Sequence, residues 1–440
     1  VVLTATALAA TLLAGQAIIL PVGLPSDHEV SEATRTVTIF ALPQSTAAGM
    51  STALGVSLIL ANLQRALIAW ATSIGGTVLM LLAHTVFAKG TMGTSLTSLN
   101  YLDAIAGGLL LAGVSIGMRP GRPQFVGWVV GALGVITVGG SPPGTHVVNP
   151  SHALRLVDWS TGESPPLWLM LATLLLLVIV AWWDRLRSDL PPLVYELPVA
   201  PVLSCAVIVV ESMTLPDWVS HHGRSLLVIA LAVAGEALTA LVAALLLPGR
   251  DGALVLVVAA VGAVGQAAQA PVVSGSAAVV FAVLVSVGVL LALRRQNPNR
   301  AIIGVLVVAV YAVLSYRTSA DDRWHAIIQG IALALAGGYT FGSCRITYRP
   351  VRVIALAMLY TPSVTRGLRD ARRPIVDPRS LNPDKWSIAG PAPADSFAPA
   401  VAALVVAIGC WLGLLLLRHL RPDGPGARKA PDVPSDEAAG

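Results

Sequence analysis

Charge is what this 440-residue chain has least of: Asp, Glu, Lys and Arg together make up 12%, about half the ~25% of a soluble domain. A soluble chain of this length would need far more charged surface. The shortage excludes a string of soluble domains, a nucleic-acid binder and a charged disordered protein. Cysteine is scarce as well. Cys205, Cys344 and Cys410 stand far apart with no C-x-x-C pair, which excludes a disulfide scaffold and gives no zinc or redox signature. Lysine occurs only at positions 89, 385 and 429, so nearly all the basic residues are arginines. With the abundance of Ala, Val and Gly, this is the composition of a chain from a high-GC bacterium. P-loop, H-E-x-x-H and strand–G-x-G-x-x-G–helix motifs are absent from the sequence. No catalytic residues, metal ligands or cofactor site are therefore expected, and a carrier is favoured over an enzyme.

Apolar residues are what is present in excess, at 55%, with 40 glycines besides; the mean hydropathy is +0.77. A bilayer core about 30 Å thick needs roughly 20 apolar residues per helix. Runs of that kind lie at 1–23, 46–63, 66–87, 101–117, 124–140, 167–183, 193–213, 225–247, 253–271, 273–293, 301–316, 325–343 and 397–417. They are too long and unbroken for outer-membrane strands. The fold class expected is all-α: a polytopic integral membrane helix bundle of 13 or 14 transmembrane helices. Segment 352–363, only twelve residues long, either crosses as the fourteenth or stays re-entrant. The first run is read as a retained helix, since it lacks a basic leader and a clear cleavage site. The expected organisation is 1–65 as N-terminal transmembrane helices, 66–351 as core, 352–421 as a basic segment with the last helix, and 422–440 as a disordered tail.

Orientation follows from the loop arginines and lysines. With the N-terminus in the cytoplasm and strict alternation, inside loops hold twelve basic residues and outside loops six. An inner-membrane protein with a cytoplasmic N-terminus is expected. The C-terminal quarter conflicts with itself. Six basic residues in 364–396 and four after Leu417 both favour the cytoplasm, and one helix cannot satisfy both. Crossing by 352–363, with a cytoplasmic tail, is the preferred solution.

Ionisable and amide side chains inside apolar runs are costly, and are functional candidates for that reason. Glu236 sits at the centre of 225–247 with eleven residues on each side. A carboxyl there can bind and release a proton as a cavity alternates between faces; the competing reading is one hydrogen bond to a neighbouring helix. Gln266 and Gln269 share a helical face beside Pro271, as in the interrupted helices that line carrier cavities. Glu236, Gln266 and Gln269 are the expected coupling or substrate-contact residues. Glu196 and Glu211 fall near the ends of 193–213 and read as interfacial. Asn100 and Asp103 read as a helix N-cap with its acid, and His84 as a satisfied or interfacial histidine rather than a proton relay. The string Gly113-Val114-Ser115-Ile116-Gly117 matches G-x-S-x-G, but it ends an apolar helix. Its glycines read as close-packing sites, as do Gly127/Gly131 and Gly338/Gly342.

Residues 66–144 resemble part of a drug/metabolite-transporter-type carrier. The resemblance rests on the polar turn Ala88-Lys89-Gly90-Thr91-Met92-Gly93, the helix 101–117, the loop Arg119-Pro120-Gly121-Arg122-Pro123 and the run Phe125–Val135. The same loop is similar to one of major-facilitator carriers, with Met118 where an Asp and Val114 where a Gly would stand. The resemblance implies a secondary carrier; it transfers no binding residues. A gap-free shift of 177 residues lays 75–137 on 252–314, helix on helix. The chain topology makes this a parallel repeat, whereas the drug/metabolite-type family implies an inverted one.

The sequence thus points to a secondary transporter of a small or amphipathic solute, with the lipid bilayer as its surroundings. A nucleic-acid partner is not expected; a second copy of the chain or an envelope complex could be one. The alternatives are a membrane-embedded transferase or polymerase acting on a lipid-linked sugar, with acids at Asp27–Glu32 or Asp321-Asp322, and a non-catalytic scaffold of an envelope complex.

Overall fold

The computed structural model describes residues 2–20, 32–87, 96–118, 121–139, 165–185, 199–222, 225–267, 275–294, 296–315, 323–344, 346, 348–361, 363–370 and 397–421. These residues form helices and short connections, with no strand among them. The first six helices are α1 (Val2–Ile19), α2 (Glu32–Leu63), α3 (Ala66–Leu82), α4 (Leu96–Gly117), α5 (Arg122–Gly139) and α6 (Leu167–Asp184). Next come α7 (Val199–His222), α8 (Leu226–Leu246), α9 (Gly252–Ala267), α10 (Gly275–Arg294), α11 (Pro298–Ser315) and α12 (Arg323–Ser343). The chain closes with α13 (Val351–Tyr360), α14 (Val364–Asp370) and α15 (Ala398–Leu420). Seven of these are long and apolar enough to cross a membrane outright, and five shorter apolar helices accompany them. The chain is a polytopic helical membrane bundle. Apolar side chains on the outer helices, Leu175, Trp182, Leu226 and Val307 among them, are more than half exposed, as lipid-facing positions should be.

Segment 352–363 is resolved in an instructive way. Helix α13 is buried along its whole length, stops at Tyr360 and restarts as α14 at Val364. Hydrogen bonds show that this broken helix crosses. Tyr348 N–H donates to Asp251 Oδ2 (2.6 Å) and Arg349 to the Ile116 carbonyl (3.2 Å). The start of α13 therefore shares a face of the bundle with the α8–α9 turn and the end of α4. Arg421, at the end of α15, donates to the carbonyls of Leu245, Leu247 and Gly249 on that same face. Helix α15 is 23 residues long, about 34 Å, so it begins at the opposite face. The chain between them must cross, and α13–α14 is the segment that does.

The helices pack in two similar sets. In the first, α4 packs on α2 and α3, while α1 packs on α4, α5 and α6, and α3 on α6. In the second, α12 packs on α10 and α11, while α9 packs on α12, α13 and α15, and α11 on α15. The partner of α1 is thus α9, and that of α5 is the broken helix. The 177-residue shift instead lays the end of α3 on α9. The sets are parallel, since α1 and α9 run the same way, whereas the drug/metabolite-type resemblance implies inversion. Helices α7 and α8 pair with each other outside both sets, and α7 also packs on α2 and α14.

Close backbone approach holds the first set together. A Cβ on Gly131 would lie 2.5 Å from the Leu8 carbonyl oxygen, one on Gly127 2.5 Å from that of Thr4, and one on Gly113 would overlap Ser73 and Ala69. The turn Leu63-Gln64-Arg65 is as tight as its two-residue length requires, with Gln64 at φ 56°.

Candidate functional site

Breaking a helix inside a membrane frees backbone groups that water cannot reach, and each must find a partner. Here the partners are Glu236 and Gln266. Glu236 lies ten residues from either end of α8, about 15 Å from each, at mid-depth of a ~30 Å core. It is 4% exposed and points into the bundle. Its Oε2 accepts from the Val364 N–H (3.0 Å) and from the Ser363 hydroxyl (3.1 Å). Gln266, near the end of α9, spans the same break: its Nε2 donates to the Thr361 carbonyl (2.9 Å) and its Oε1 accepts from the Ser363 N–H (2.7 Å). Thr365 completes the lock, donating from its hydroxyl to the Ala263 carbonyl (3.2 Å) and from its N–H to Ser363 Oγ (3.1 Å). The geometry brings two of the three sequence candidates to one point; Gln269 lies outside the described residues.

Gln266 also lines a narrow cleft where the two sets meet, and Leu133 of α5, Val285 of α10, Leu333 of α12 and Leu359 of α13 form much of its wall. Apart from Gln266 this cleft is apolar, which suits an apolar or amphipathic ligand.

Below the cleft, toward the basic-loop face, the two sets are sealed. Arg352 donates to the Ser115 carbonyl (3.2 Å) and Tyr360 to the Ala132 carbonyl (3.1 Å), while Trp128 Nε1, held within the first set, donates to Ser115 Oγ (3.2 Å). Trp128 also meets Phe341 edge-on, with ring centroids 5.9 Å apart. Arginines on the last carbonyls of α4 complement the negative end of that helix. Ser115 therefore lies within a helix, as a packing and acceptor residue.

Two sequence assignments change. Glu211 is not interfacial: α7 runs on through the polar stretch to His222, which moves Glu211 to mid-helix, 8% exposed. Asp103 is not an N-cap acid, because α4 starts upstream at Leu96, leaving Asp103 in the helix interior. There it pairs with His84, Nε2 to Oδ2 2.6 Å, both groups buried. His84 sits in a π-helical turn, Ala83–Phe87, that continues α3.

No family model matches the chain, and no curated protein does. Among solved structures it is similar to the POT family transporter PepTSo, at 12% identity and TM-score 0.44, over 95% of this chain and 96% of that one. It is also similar to the xylose transporter XylE from E. coli, at 12% identity and TM-score 0.41, over 96% of this chain and 99% of that one.

Proposed function

We propose that this protein is a secondary transporter of a small or amphipathic solute, seated in the cell membrane with its N-terminus and basic loops in the cytoplasm. The observation that carries the reading is the interruption of a buried crossing helix at mid-depth, clasped by side chains from two other helices. A bundle that only had to span the membrane would be more stable with that helix continuous. Broken helices at the meeting of two repeated sets are the usual way a carrier builds a polar site in a bilayer. The cleft beside Gln266 is the solute's place, and Glu236 ties the break to α8.

The seal formed by Arg349, Arg352, Tyr360 and Trp128 closes the cytoplasmic side in this conformation. It consists of hydrogen bonds to carbonyl oxygens and of ring contacts, with no ion pair across it among the described residues.

The test is uptake into liposomes holding the purified chain, under imposed proton and sodium gradients, with a panel of sugars, amino acids, dipeptides and lipophilic cations. At least one class should accumulate against its own gradient, and Glu236→Gln should fold yet lose gradient-driven accumulation. Failure of every class to move above empty liposomes would contradict the proposal.

A further inference from the structure

Glu236 is not alone at mid-depth. Glu211 stands twelve residues from the start of α7 and eleven from its end. Two contacts fix how α7 lies against α8: Ser204 Oγ donates to the Ala243 carbonyl (3.1 Å), and a Cβ on Gly235 would touch Leu215 at 3.6 Å. Counted along this antiparallel pair, Glu211 comes level with residues 236 to 239. Ser204, Glu211 and Leu215 recur at helical spacing, so Glu211 lies on the face of α7 that meets α8. Yet their surroundings differ. Glu236 accepts two hydrogen bonds on one oxygen, whereas Oε1 of Glu211 is buried with no hydrogen-bond partner.

That asymmetry divides the work. A carboxylate is an acceptor-only group, and Glu236 is held as one by a backbone N–H and a hydroxyl. An ionised carboxylate beside it, with one oxygen lacking a protein donor, would leave two like charges in the membrane core; a carboxylic acid there would be neutral and able to donate. We infer that Glu211 and Glu236 form a proton-binding pair in which Glu211 carries the exchangeable proton and Glu236 stays anchored to the break between α13 and α14. The inference rests on the transport reading for its purpose and names the proton as the coupling ion. Helix α7 then senses the proton while packing on α14, so loading and unloading Glu211 bears on the broken helix itself.

A metal cation fits less well. A hard cation takes about six oxygen ligands. Here the Ser363 hydroxyl is committed to Glu236, the Thr365 hydroxyl to Ala263, and both amide atoms of Gln266 to the backbone. The other ionisable groups on the elements around the pair are few. Cys410 of α15 lies within electrostatic reach of Glu236, and Arg366 is half-buried on α14. Arg352, Arg418 and His419 belong to the basic-face ends of their helices, and Tyr360 is bonded to Ala132. Helix α14 ends with Arg369 and Asp370, α7 carries Asp217, His221 and His222 toward its far end, and α9 carries no charge.

Infrared difference spectra of the purified protein in liposomes, taken across pH, test this without any solute. The wild type should show a buried protonated-carboxyl band that disappears on alkalinisation. Glu211→Gln should remove it and Glu236→Gln should keep it. A wild type without the band, a Glu211→Gln protein that retains it, or a band abolished by sodium at constant pH would overturn the proposal. Should Glu211→Gln not fold, the wild type is treated with a hydrophobic carbodiimide, which reacts with protonated carboxyls. An adduct on Glu211 supports the assignment; an adduct on Glu236 alone, or on neither, overturns it. Failure here leaves transport driven by another ion untouched, and failure of solute uptake leaves the proton band to be read separately.

Discussion

Replacing Gly131 with Ala adds one methyl group at the α1–α5 contact, and the structure says where it goes. The new Cβ would lie 2.5 Å from the Leu8 carbonyl oxygen, 3.0 Å from the Leu12 nitrogen and 3.0 Å from Thr11 Cβ. Close carbon–oxygen contacts between helices normally stand at about 3.3–3.6 Å. Helix α1 must therefore retreat by about 0.8 Å, a gap at which neighbouring contacts lose roughly a quarter to a half of their dispersion energy. Overpacking of this kind costs about 1–3 kcal/mol. Against it stands the gain in helix propensity from Gly to Ala, roughly 1 kcal/mol. Gly134 on the same helix supplies the control: its Cβ would meet only Leu12 Cδ1, at 3.5 Å, an ordinary contact. Gly134→Ala keeps the propensity gain without the clash. The difference between the two variants isolates the clash at about 1–3 kcal/mol, roughly a fivefold to hundredfold change in the folding equilibrium at 1.4 kcal/mol per decade. Reversible unfolding in mixed micelles with rising denaturing detergent measures it. Equal stability of Gly131→Ala and Gly134→Ala would refute the close-approach argument for this interface.

Three further outcomes are expected. Cysteines placed at residues 121 and 297, in a chain freed of its three native cysteines, should resist a membrane-impermeant thiol reagent in intact cells and react in inverted vesicles; labelling from outside would overturn the orientation. Gln266→Leu should destabilise the bundle by about 1–3 kcal/mol, because it strands the buried Thr361 carbonyl and Ser363 N–H, while Gln266→Glu, which keeps one acceptor, should lose less; detergent unfolding would show the order. Arg352→Leu should weaken the cytoplasmic seal by removing its bond to Ser115, so a cysteine at 115 should react with thiol reagent several-fold faster than in a chain with Arg352 intact; unchanged reactivity would show that the seal does not depend on Arg352.

Much of this was legible in the sequence, because the signals concerned are local. The thirteen apolar runs correspond to the thirteen long helices among the described residues, since hydrophobic length is a property of each segment alone. Glu236 and Gln266 stood out because a polar group in an apolar run is visible without knowing its neighbours. What escaped was relational. That the two residues grip one break depends on α8, α9 and α13–α14 converging, which no spacing encodes. The pairing of His84 with Asp103 joins two helices across a turn, and Asp103 read as a cap because the upstream residues of α4 are polar. Glu211 seemed interfacial because the apolar run ends near it, whereas the helix continues through polar residues that packing supports. The correspondence of α1 with α9 was hidden because almost any two apolar helices can be overlaid without gaps.

The account turns on two helix sets that move against each other around the clasped break, and distances between them measure that directly. Spin labels at Gly121 and Gln296 report the basic-loop face, and labels at Leu167 and Ile328 the opposite face, with one position of each pair in each set. Double electron–electron resonance in liposomes at acid and alkaline pH should show the two pairs shifting in opposite senses, one lengthening as the other shortens. Glu211→Gln, which removes the exchangeable proton, should hold both pairs at one distance. A single unchanging distance for both pairs of the wild type at every pH, and with every solute of the uptake panel, would contradict the account.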